Sequence, residues 1–541
     1  MSLRFLSAAL ALGLGLSGAT VGVSPAGAAV NPGTVSVAIA VPITVPGGTG
    51  ALLGADELIN LMRPSGSLAR QLDAVINRPV TIAIDPRIIV SVRALGTSAP
   101  PTALSWLARL EAASNPVFPL AYADADLTLT TQAGATTVPQ VESLEFAIDA
   151  DLFAAEASGP TSAPPTADAT VPNTVDLLAW PYTSTHVAWP QENTVVSTDL
   201  PPLAASGYTT TILSSSNVQV PAGGGAVATV GGQGILVSDS TASEHLRVAS
   251  SAATDEVWDA AMVALESQLV SSSSTQPDGA SVLITLDRGP LGFANRLSDT
   301  VERLQSVAGI SLVSALSLAE GTSSVEATII DMPQDQDRVD RVARVLQAEA
   351  AERSFATVAD DPKRITAERR AELMALLGSD WRSSSRGWIE AVDQFMLDSE
   401  ALRSSVQLVQ SDSATLWADN GQFLPITIRN DLSQPVTVVV TIKPNRALLS
   451  VDEGPVQVVV DAGVRSTTNV PVQSLANGIV TVQVSLSTTE GVPLGSPIRT
   501  EVNVQAGWET PIVVILAALV VVILILGIVR TVIRGRRARN D

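Results

Sequence analysis

Aspartates end several short apolar segments of this sequence, a position compatible with acid–base chemistry. Asp85 ends PVTIAID and Asp287 ends SVLITLD, while Asp124 and Asp126 close PVFPLAYADAD. If these segments are parallel strands, their carboxyl ends meet at one edge of the sheet, where sites form. Two carboxylates facing each other there could protonate a leaving oxygen and activate water, as in glycoside hydrolysis. They could also bind a hard cation such as calcium.

The same aspartates have a structural interpretation. Aspartate often ends a strand by accepting hydrogen bonds from the backbone of its own turn, and Asp85 stands before a proline. Asp124 and Asp126 are two residues apart, so in an extended chain they point the same way, and sharing one site would raise a pKa. Asp176 and Asp239 lie near other predicted strands. The sequence favours a structural role for these residues over a catalytic one.

Other kinds of chemistry find little support. The chain has no cysteine and two histidines, His186 and His245, and it contains neither an H-E-x-x-H motif nor a G-x-S-x-G motif. Metal-dependent carbohydrate deacetylases carry an aspartate pair near a strand end and a His-x-x-x-His element. The segment around Asp287 resembles the first feature, and the second is missing. We therefore predict no metal site and no cofactor.

Aromatic residues are concentrated in the segment LLAWPYTSTHVAWP. Trp180, Tyr182, His186 and Trp189 lie within it, although aromatic residues make up only 4% of the chain. Exposed aromatic rings beside acids bind sugars by stacking on the ring face, so these four residues are candidates for ligand binding. The alternative, which we favour, is a loop whose aromatic side chains pack back on the surrounding fold.

Alternating strand and helix patterns place these residues in an α/β domain. Predicted strands include Val35 to Ile43 and the segments PVTIAID, PVFPLAYAD, TVDLLAWP, YTTTILSS, GILVSD, SVLITLD and ISLVSA. Helical patterns such as PPTALSWLARLEAA and DEVWDAAMVALESQLV separate many of them. Continuous apolar strands indicate a parallel sheet covered on both faces. We predict a (β/α) barrel-like domain over residues 30–330, with an open doubly wound sheet as the alternative.

The rest of the exported chain divides by its periodicity. Residues 157–174 and 221–234 are rich in proline, glycine and small residues and are predicted to be surface excursions. Residues 331–405 have helical periodicity, and we expect them to pack on the barrel. Residues 406–507 alternate with a period of two and have frequent turn signals, which predicts an immunoglobulin-like β-sandwich without a disulfide, acting as a spacer.

The two termini indicate export and membrane anchoring. Residues 1–28 have the charged start, apolar stretch and small-residue cleavage site of a signal peptide. Residues 511–529 carry no charge and are long enough to cross a hydrocarbon core of about 30 Å. The arginines of the tail, residues 530–541, are expected to stay in the cytoplasm, with the bulk of the chain outside. The net charge of −21 disfavours nucleic acid as a partner.

Several motifs, taken in their order, resemble a family of uncharacterised actinobacterial envelope proteins. The motifs are VPIT, IAIDP, WLARLEA, LAYADADL, LLAWP, GSDWR and LPITIRNDLSQPVTVVVTI, followed by the apolar span and the arginine tail. Family members are exported, single-pass proteins with a domain of unknown function. Many begin with an additional β-sandwich, which we expect to be absent here. Their genes frequently neighbour the gene of the lipid II flippase, which implies a role in cell-envelope or peptidoglycan biogenesis.

Two functions follow from these observations. The preferred one is a non-enzymatic envelope protein, anchored in the cytoplasmic membrane, that binds a cell-wall glycan or a protein partner such as the lipid II flippase. The alternative is a carbohydrate-active hydrolase that uses Asp124 or Asp126 together with Asp85 or Asp287. The hydrolase requires two of these carboxylates to converge in one open cleft. If they cap their own turns instead, the non-enzymatic function is favoured.

Overall fold

The fold is described from a computed structural model of the chain. The structure describes residues 34–153, 171–274, 280–321, 325–410, 414–417, 423–451, 454–505 and 509–537. The predicted signal peptide, most of the excursion at 157–174 and the last four residues of the tail lie outside the described residues.

The first part of the chain alternates between strands and helices. Its strands are β1 (Val35–Ile43), β2 (Thr81–Ile84), β3 (Val117–Pro119), β4 (Val187–Ala188), β5 (Thr210–Ser214), β6 (Val218–Gln219), β7 (Val227–Val230), β8 (Gln233–Ser238), β9 (Ser281–Thr285), β10 (Ile310–Val313) and β11 (Thr328–Ile329). Its helices are α1 (Ala55–Met62), α2 (Ser67–Val75), α3 (Pro86–Ala94), α4 (Pro101–Glu111), α5 (Leu127–Gln132), α6 (Thr174–Leu178), α7 (Leu200–Ala205), α8 (Ser240–Ser250), α9 (Asp255–Ser274), α10 (Ala294–Ser306) and α11 (Ala315–Ala319).

The strands form one curled, mainly parallel sheet. Its order is β3-β2-β1-β9-β8-β5-β4, and every neighbouring pair on this path is parallel. Strand β10 adds to β1 in parallel, and β7 pairs with β8 in antiparallel orientation. The strands have few exposed side chains because helices cover the outer face and the sheet curls around its inner face.

The curl brings the two edge strands, β3 and β4, into one core. Each of the seven strands on the path contributes to a single buried cluster, which includes Phe118 of β3 and Val187 of β4. The ring centroids of Phe118 and Trp189 lie 6.3 Å apart. The Thr183 amide, just before β4, donates to the Val117 carbonyl at 2.8 Å. Contacts of this kind, rather than a strand ladder, join the edges in the described part of the chain, so the sheet is a partly closed barrel.

Helix α11 closes the barrel at the amino ends of the strands. Its first residue, Ala315, donates its backbone N–H to the hydroxyl of Thr81 at the start of β2, at 2.9 Å. Ala315 and Leu316 belong to the buried cluster inside the sheet. The opposite end, where the strands reach their carboxyl ends, is called the mouth below. Every aspartate that the sequence places after a strand lies toward this end.

Three details of the predicted elements were wrong. The segment TVDLLAWP is not a strand but contains helix α6, because Asn173 and Asp176 form a capping box that starts a helix there. The strand predicted from PVFPLAYAD is only three residues long and is followed by a 3₁₀ turn, Tyr122–Asp124. The second excursion, 221–234, contains β7 and the start of β8, and Ala226 and Ala228 are buried.

Three long helices follow the curled sheet. They are α12 (Gln336–Ala356), α13 (Lys363–Leu376) and α14 (Ser385–Arg403). Val339, Leu373 and Trp388, one from each helix, share a buried cluster with Tyr122 and Leu129, which follow β3. The helices therefore pack on the mouth side of the sheet, beside the segment that carries Asp124 and Asp126.

The next part of the chain forms two sheets around one apolar core. Their strands are β12 (Val406–Leu408), β13 (Ala414–Trp417), β14 (Phe423–Asn430), β15 (Val436–Pro444), β16 (Leu449–Val451), β17 (Val456–Val460), β18 (Arg465–Ser474), β19 (Gly478–Ser487) and β20 (Pro493–Gln505). The sheet orders are β12-β14-β18-β16 and β13-β20-β19-β15-β17. Pairing is antiparallel except between β13 and β20. Alternate valines of both sheets are buried in this core.

The last helix is apolar enough to cross a membrane. Helix α15 (Glu509–Arg537) contains the apolar stretch Val513–Ile533, none of which is buried against the rest of the protein. Its length matches the roughly 20 apolar residues that span a bilayer. A helix that is apolar on all sides and lacks protein neighbours is suited to lipid.

The inward packing of Phe118 predicts a large effect of its truncation. Replacing Phe118 by alanine leaves a cavity in the barrel interior and should lower the free energy of unfolding by about 3–5 kcal/mol. Urea denaturation of the full chain in detergent, followed by tryptophan fluorescence, measures this change. The matched control is Phe293→Ala, because Phe293 is 46% exposed. Equal effects of the two substitutions would contradict this packing.

Candidate functional site

A polar cavity lies at the mouth of the barrel. It has a volume of about 310 Å³ and is formed by the residues that follow β4, β5, β8 and β9 and by the turn between α13 and α14. We call it the mouth cavity. Its polar lining comes from Gln191, Glu192, Asn193, Ser214, Asn217, Ser238, Arg247, Thr285, Asp287, Arg288, Ser379, Asp380, Arg382 and Ser383, and Trp189 forms part of its apolar wall. Its position is the one where sites form in parallel α/β sheets.

Arg288, just after β9, connects the two edges of the sheet across the mouth. Its Nε lies 2.9 Å from both carboxylate oxygens of Asp124, which follows β3. Its Nη2 donates to the carbonyl of Trp189, which follows β4. The guanidinium carbon also lies 5.1 Å from the centroid of the Trp189 ring, within range of a cation–π interaction. One side chain from the middle of the sheet thus binds groups at both edges.

Asp124 is held in an unusual backbone turn. Ala123 and Asp124 have φ angles of +59° and +48°, a left-handed conformation that non-glycine residues seldom adopt. The Ala123 N–H donates to Asp85 at 2.8 Å, and the hydroxyl of Ser379 donates to the Asp124 carbonyl at 3.0 Å. These bonds hold the turn in place and direct the Asp124 carboxylate toward Arg288.

Burial raises the pKa of Asp124 to about 6, and the nearby Arg288 guanidinium opposes this shift. The side chain is only 7% exposed, so removing its charge from water costs more than the single arginine restores. Burial also raises the pKa of Asp85, against the opposing effect of Arg87. Both carboxyls therefore hold their protons more tightly than ordinary aspartates.

A second ion-pair group lies on the other side of the mouth cavity and centres on Arg247 of α8. Its guanidinium nitrogens lie 2.7 Å from Glu192, 3.0 Å from Asp287 and 3.6 Å from Glu244. Asp287 is mostly exposed, and partial burial still raises the pKa of its carboxyl. Arg247 therefore neutralises part of a local excess of carboxylates that would otherwise repel one another.

The remaining candidate acids cap helices. Asp85 accepts a backbone hydrogen bond from Arg87 at the start of α3, and Asp126 accepts one from Leu129 in α5. Asp126 also accepts from the side chains of Thr128 and Gln334. The two other aspartates near predicted strands, Asp176 and Asp239, cap α6 and α8. Each of these four side chains accepts a hydrogen bond from a backbone N–H at the start of its helix.

The aromatic candidates are spread over different surroundings. Trp189 lines the mouth cavity, but it is 8% exposed and Arg288 lies over its ring. Trp180 lies under Arg93, with 5.5 Å between guanidinium carbon and ring centroid. Tyr182 is half-buried, and burial raises the pKa of its hydroxyl. His186 precedes β4, and its Nδ1 lies 3.1 Å from the Gly207 carbonyl. Only Trp189 of the four lines the cavity at the mouth.

The turn between α13 and α14 covers one side of the mouth, which the sequence did not predict. Asp380 accepts a hydrogen bond from the Gly47 N–H, after β1, at 2.9 Å. A Cβ atom at Gly47 would lie 3.0 Å from the Trp381 ring, so a larger residue would need this ring to shift by a few tenths of an ångström. The Leu377 carbonyl accepts from the Asp126 N–H at 2.8 Å. The signal for this contact is the motif GSDWR, residues 378–382, whose polar residues interrupt the helical pattern.

The arginines that line the mouth cavity were not among the candidate residues from the sequence. Arg288 directly follows Asp287, so its position at a strand end could have been inferred, but its partner is 164 residues away. Arg247 and Arg382 lie on helical segments and carry no local signal. Within the residues that the structure describes, no group of three or more histidine, aspartate or glutamate side chains is arranged to hold a metal ion.

Among solved structures, the α-amylase AmyC from Thermotoga maritima is 12% identical, with 68% of this chain and 93% of that chain covered and a TM-score of 0.40. The 4-α-glucanotransferase from Thermococcus litoralis is 10% identical, with coverages of 84% and 85% and a TM-score of 0.38. TM-scores this low carry no argument about activity. No curated protein sequence matches the chain. A family model described as "Family of unknown function (DUF6049)" matches residues 19–540.

The raised pKa of Asp124 predicts a specific pH dependence of stability. Between its ordinary value near 3.8 and about 6, the folded carboxyl keeps its proton where the unfolded one has lost it. This group therefore stabilises the folded state fully below about pH 4, and that contribution of about 3 kcal/mol is lost as the pH rises to about 7. The unfolding free energy of the parent protein minus that of Asp124→Asn should fall by this amount between pH 4 and 7.

Urea titrations of both proteins at several pH values measure this difference. The control is Asp73→Asn, because Asp73 lies on the surface beside Arg109 and its side chain is 47% exposed. A difference that stays constant, or that grows as the pH rises, would show that Arg288 has a larger effect than burial on the pKa of the Asp124 carboxyl.

Proposed function

The chain belongs to the DUF6049 family, whose function is unknown, and from the geometry of the mouth we propose that it binds a carbohydrate there without cleaving it. The observation that carries this proposal is that all four candidate catalytic carboxylates are already engaged. Asp124 is bound by Arg288 and Asp287 by Arg247, while Asp85 and Asp126 cap helices. Glycoside hydrolysis needs two carboxyl groups that can reach the substrate, and of these four only Asp287 is largely exposed.

The lining of the mouth cavity supports a hydroxyl-rich ligand. It offers hydroxyls, amides and charged groups of both signs, and these can donate to and accept from the hydroxyls of a sugar. A volume of about 310 Å³ is at the lower end of the range for small-molecule sites, about 300–1,000 Å³. It suits one or two sugar rings rather than a protein loop. The ion pairs of Arg288 and Arg247 would hold the wall in shape before the ligand arrives.

One observation favours a second candidate function, glycoside hydrolysis. Asp124 has a pKa of about 6, the range in which a carboxyl can act as a general acid, and Asp287 on the same side of the barrel is an ionisable second carboxylate. We rank it second because the Asp124 side chain is 7% exposed and both of its oxygens face Arg288.

We also propose the cellular setting that the sequence suggested. The apolar stretch of α15 would cross the cytoplasmic membrane once, with the arginine tail in the cytoplasm and the rest outside. The sheets between residues 406 and 505 would form an immunoglobulin-like spacer between the membrane and the mouth. The ligand would then be a cell-wall glycan in an actinobacterial envelope, and the lipid II flippase would be the candidate protein partner.

Binding without turnover is the direct test of this function. Full-length protein in detergent should bind N-acetylglucosamine oligomers in isothermal titration calorimetry and release no reducing ends from them. Asp287→Asn should weaken binding about tenfold, because a hydrogen bond to a charged group is lost. The control is Glu302→Gln, a surface change whose side chain is 65% exposed. Absence of binding would refute the proposal, and release of reducing ends that Asp124→Asn abolishes would support the hydrolase instead.

Orientation in the membrane has its own test. Protease added to intact cells should digest residues 34–505 and leave a tag on the cytoplasmic tail intact, because the bulk of the chain lies outside. Cells permeabilised before digestion serve as the control and should lose the tag. Survival of residues 34–505 in intact cells would place this part of the chain inside and exclude a cell-wall ligand.

A further inference from the structure

A second cavity adjoins the mouth cavity. It has a volume of about 430 Å³ and lies between the start of α12 and the start of α14. Asn193 and Arg382 line both cavities, so the two spaces lie side by side at these residues. We call the second space the arginine cavity, because Arg338, Arg341 and Arg382 line it.

The arginine cavity contains one guanidinium group, that of Arg338, with unpaired donors. The Nε and Nη2 atoms of Arg338 are buried and have no hydrogen-bond partner among the described residues. Among the described residues, no carboxylate lies within 4.0 Å of Arg338 or Arg382, and Arg341 meets Asp393 only at 3.9 Å. Arg382 donates one hydrogen bond to the side-chain oxygen of Gln334, at 3.2 Å. Arg338 packs over Trp388, with 4.4 Å between its guanidinium carbon and the ring centroid. This stacking fixes the group and leaves its Nε and Nη2 donors unused.

The carboxylates nearby do not supply these missing partners. Asp335 accepts from the backbone of Arg338 as the cap of α12, and Asp126 is bound by Leu129, Thr128 and Gln334. Asp337 is an exposed residue of the first turn of α12. Burial lowers the pKa of the Arg338 guanidinium; the charges of Asp126 and Asp335 oppose this shift, and that of Arg382 adds to it. Three arginines and two aspartates, Asp335 and Asp337, line the cavity, so its lining has a net positive charge in a chain whose net charge is −21.

Packing alone does not explain this arrangement. A buried guanidinium normally directs its N–H groups at carbonyls or carboxylates, since an unsatisfied donor costs about 1–3 kcal/mol. Guanidinium groups bind carboxylate and phosphate oxygens in a planar, often bidentate geometry. An anionic ligand group would satisfy the donors of Arg338 and would also meet Arg341 and Arg382. A neutral ligand would leave the charges without partners.

We propose that the arginine cavity is an anion subsite that continues the mouth cavity, so that the protein binds an acidic glycan. One sugar ring lies in the mouth cavity, and a carboxylate or phosphate on the same ligand is bound by Arg338, Arg341 and Arg382. This inference rests on the proposed function, because it assumes that the mouth cavity holds the sugar. It adds the class of ligand: a glycan with a negative group next to the ring.

Matched pairs of ligands test the inference. N-acetylmuramic acid differs from N-acetylglucosamine by a lactyl ether that carries a carboxylate, and glucose 6-phosphate differs from glucose by a phosphate. In calorimetry with the full-length protein in detergent, at least one acidic member should bind about ten- to a hundredfold more tightly than its neutral partner. The pair that shows the preference identifies whether the negative group is a carboxylate or a phosphate.

Substitutions locate the preference in the arginine cavity. Arg338→Ala and Arg341→Ala should each reduce the preference for the acidic sugar about tenfold or more. Their affinity for the neutral sugar should stay unchanged, which also shows that the variants fold. The matched control is Arg386→Ala, because Arg386 lies at the start of α14 with its side chain 94% exposed and does not line the cavity. This control should retain the preference.

The outcomes separate the two proposals. Equal affinity for acidic and neutral sugars overturns the anion subsite and leaves the proposed function standing. An acidic preference that survives both arginine substitutions also overturns it, because the negative group then lies elsewhere. Absence of binding by all four sugars overturns both proposals.

Discussion

The contact between Arg288 and Asp124 is the interaction on which the arrangement of the mouth depends. The curled sheet has two free edges, β3 and β4, and the described residues contain no ladder between them. Arg288 projects from the end of β9, near the middle of the sheet, and binds Asp124 beyond one edge and the Trp189 carbonyl beyond the other. Both partners are nearly buried, so the charges are weakly screened and their contact depends on exact placement.

This contact also decides how the mouth can be used. A carboxylate held by an arginine, in a turn with two left-handed residues, is fixed in place and shielded from water. The turn between α13 and α14 adds to this constraint, because Ser379 and Asp380 bind the segments that follow β3 and β1. The result is a rigid polar wall with donors and acceptors of both signs, which is what a preorganised binding site requires. Arg338 and Arg382 extend the same wall with guanidinium groups, and no carboxylate of the described residues lies within 4.0 Å of either one.

Local patterns in the sequence predict the elements of this fold better than its long-range contacts. The strand Val35–Ile43 and the helices within residues 331–405 follow directly from hydrophobic patterns in the sequence. The helix α6 was missed because one asparagine cap outweighed an apolar strand-like run. The structural interpretation of Asp85 was accessible because the next residue is proline. The sequence could not reveal two long-range pairs. Arg288 binds Asp124, which is 164 residues away along the chain, and Asp126 binds Gln334, which is 208 residues away.

A double-mutant cycle on Asp124 and Arg288 tests the central claim most directly. The unfolding free energies of the parent protein, Asp124→Asn, Arg288→Gln and the double variant are measured at pH 8, where the Asp124 carboxyl has lost its proton. If the two side chains hold the mouth together, their coupling energy should be about 1–3 kcal/mol, favouring the pair. Additive effects, with a coupling energy near zero, would contradict the claim that this ion pair organises the site.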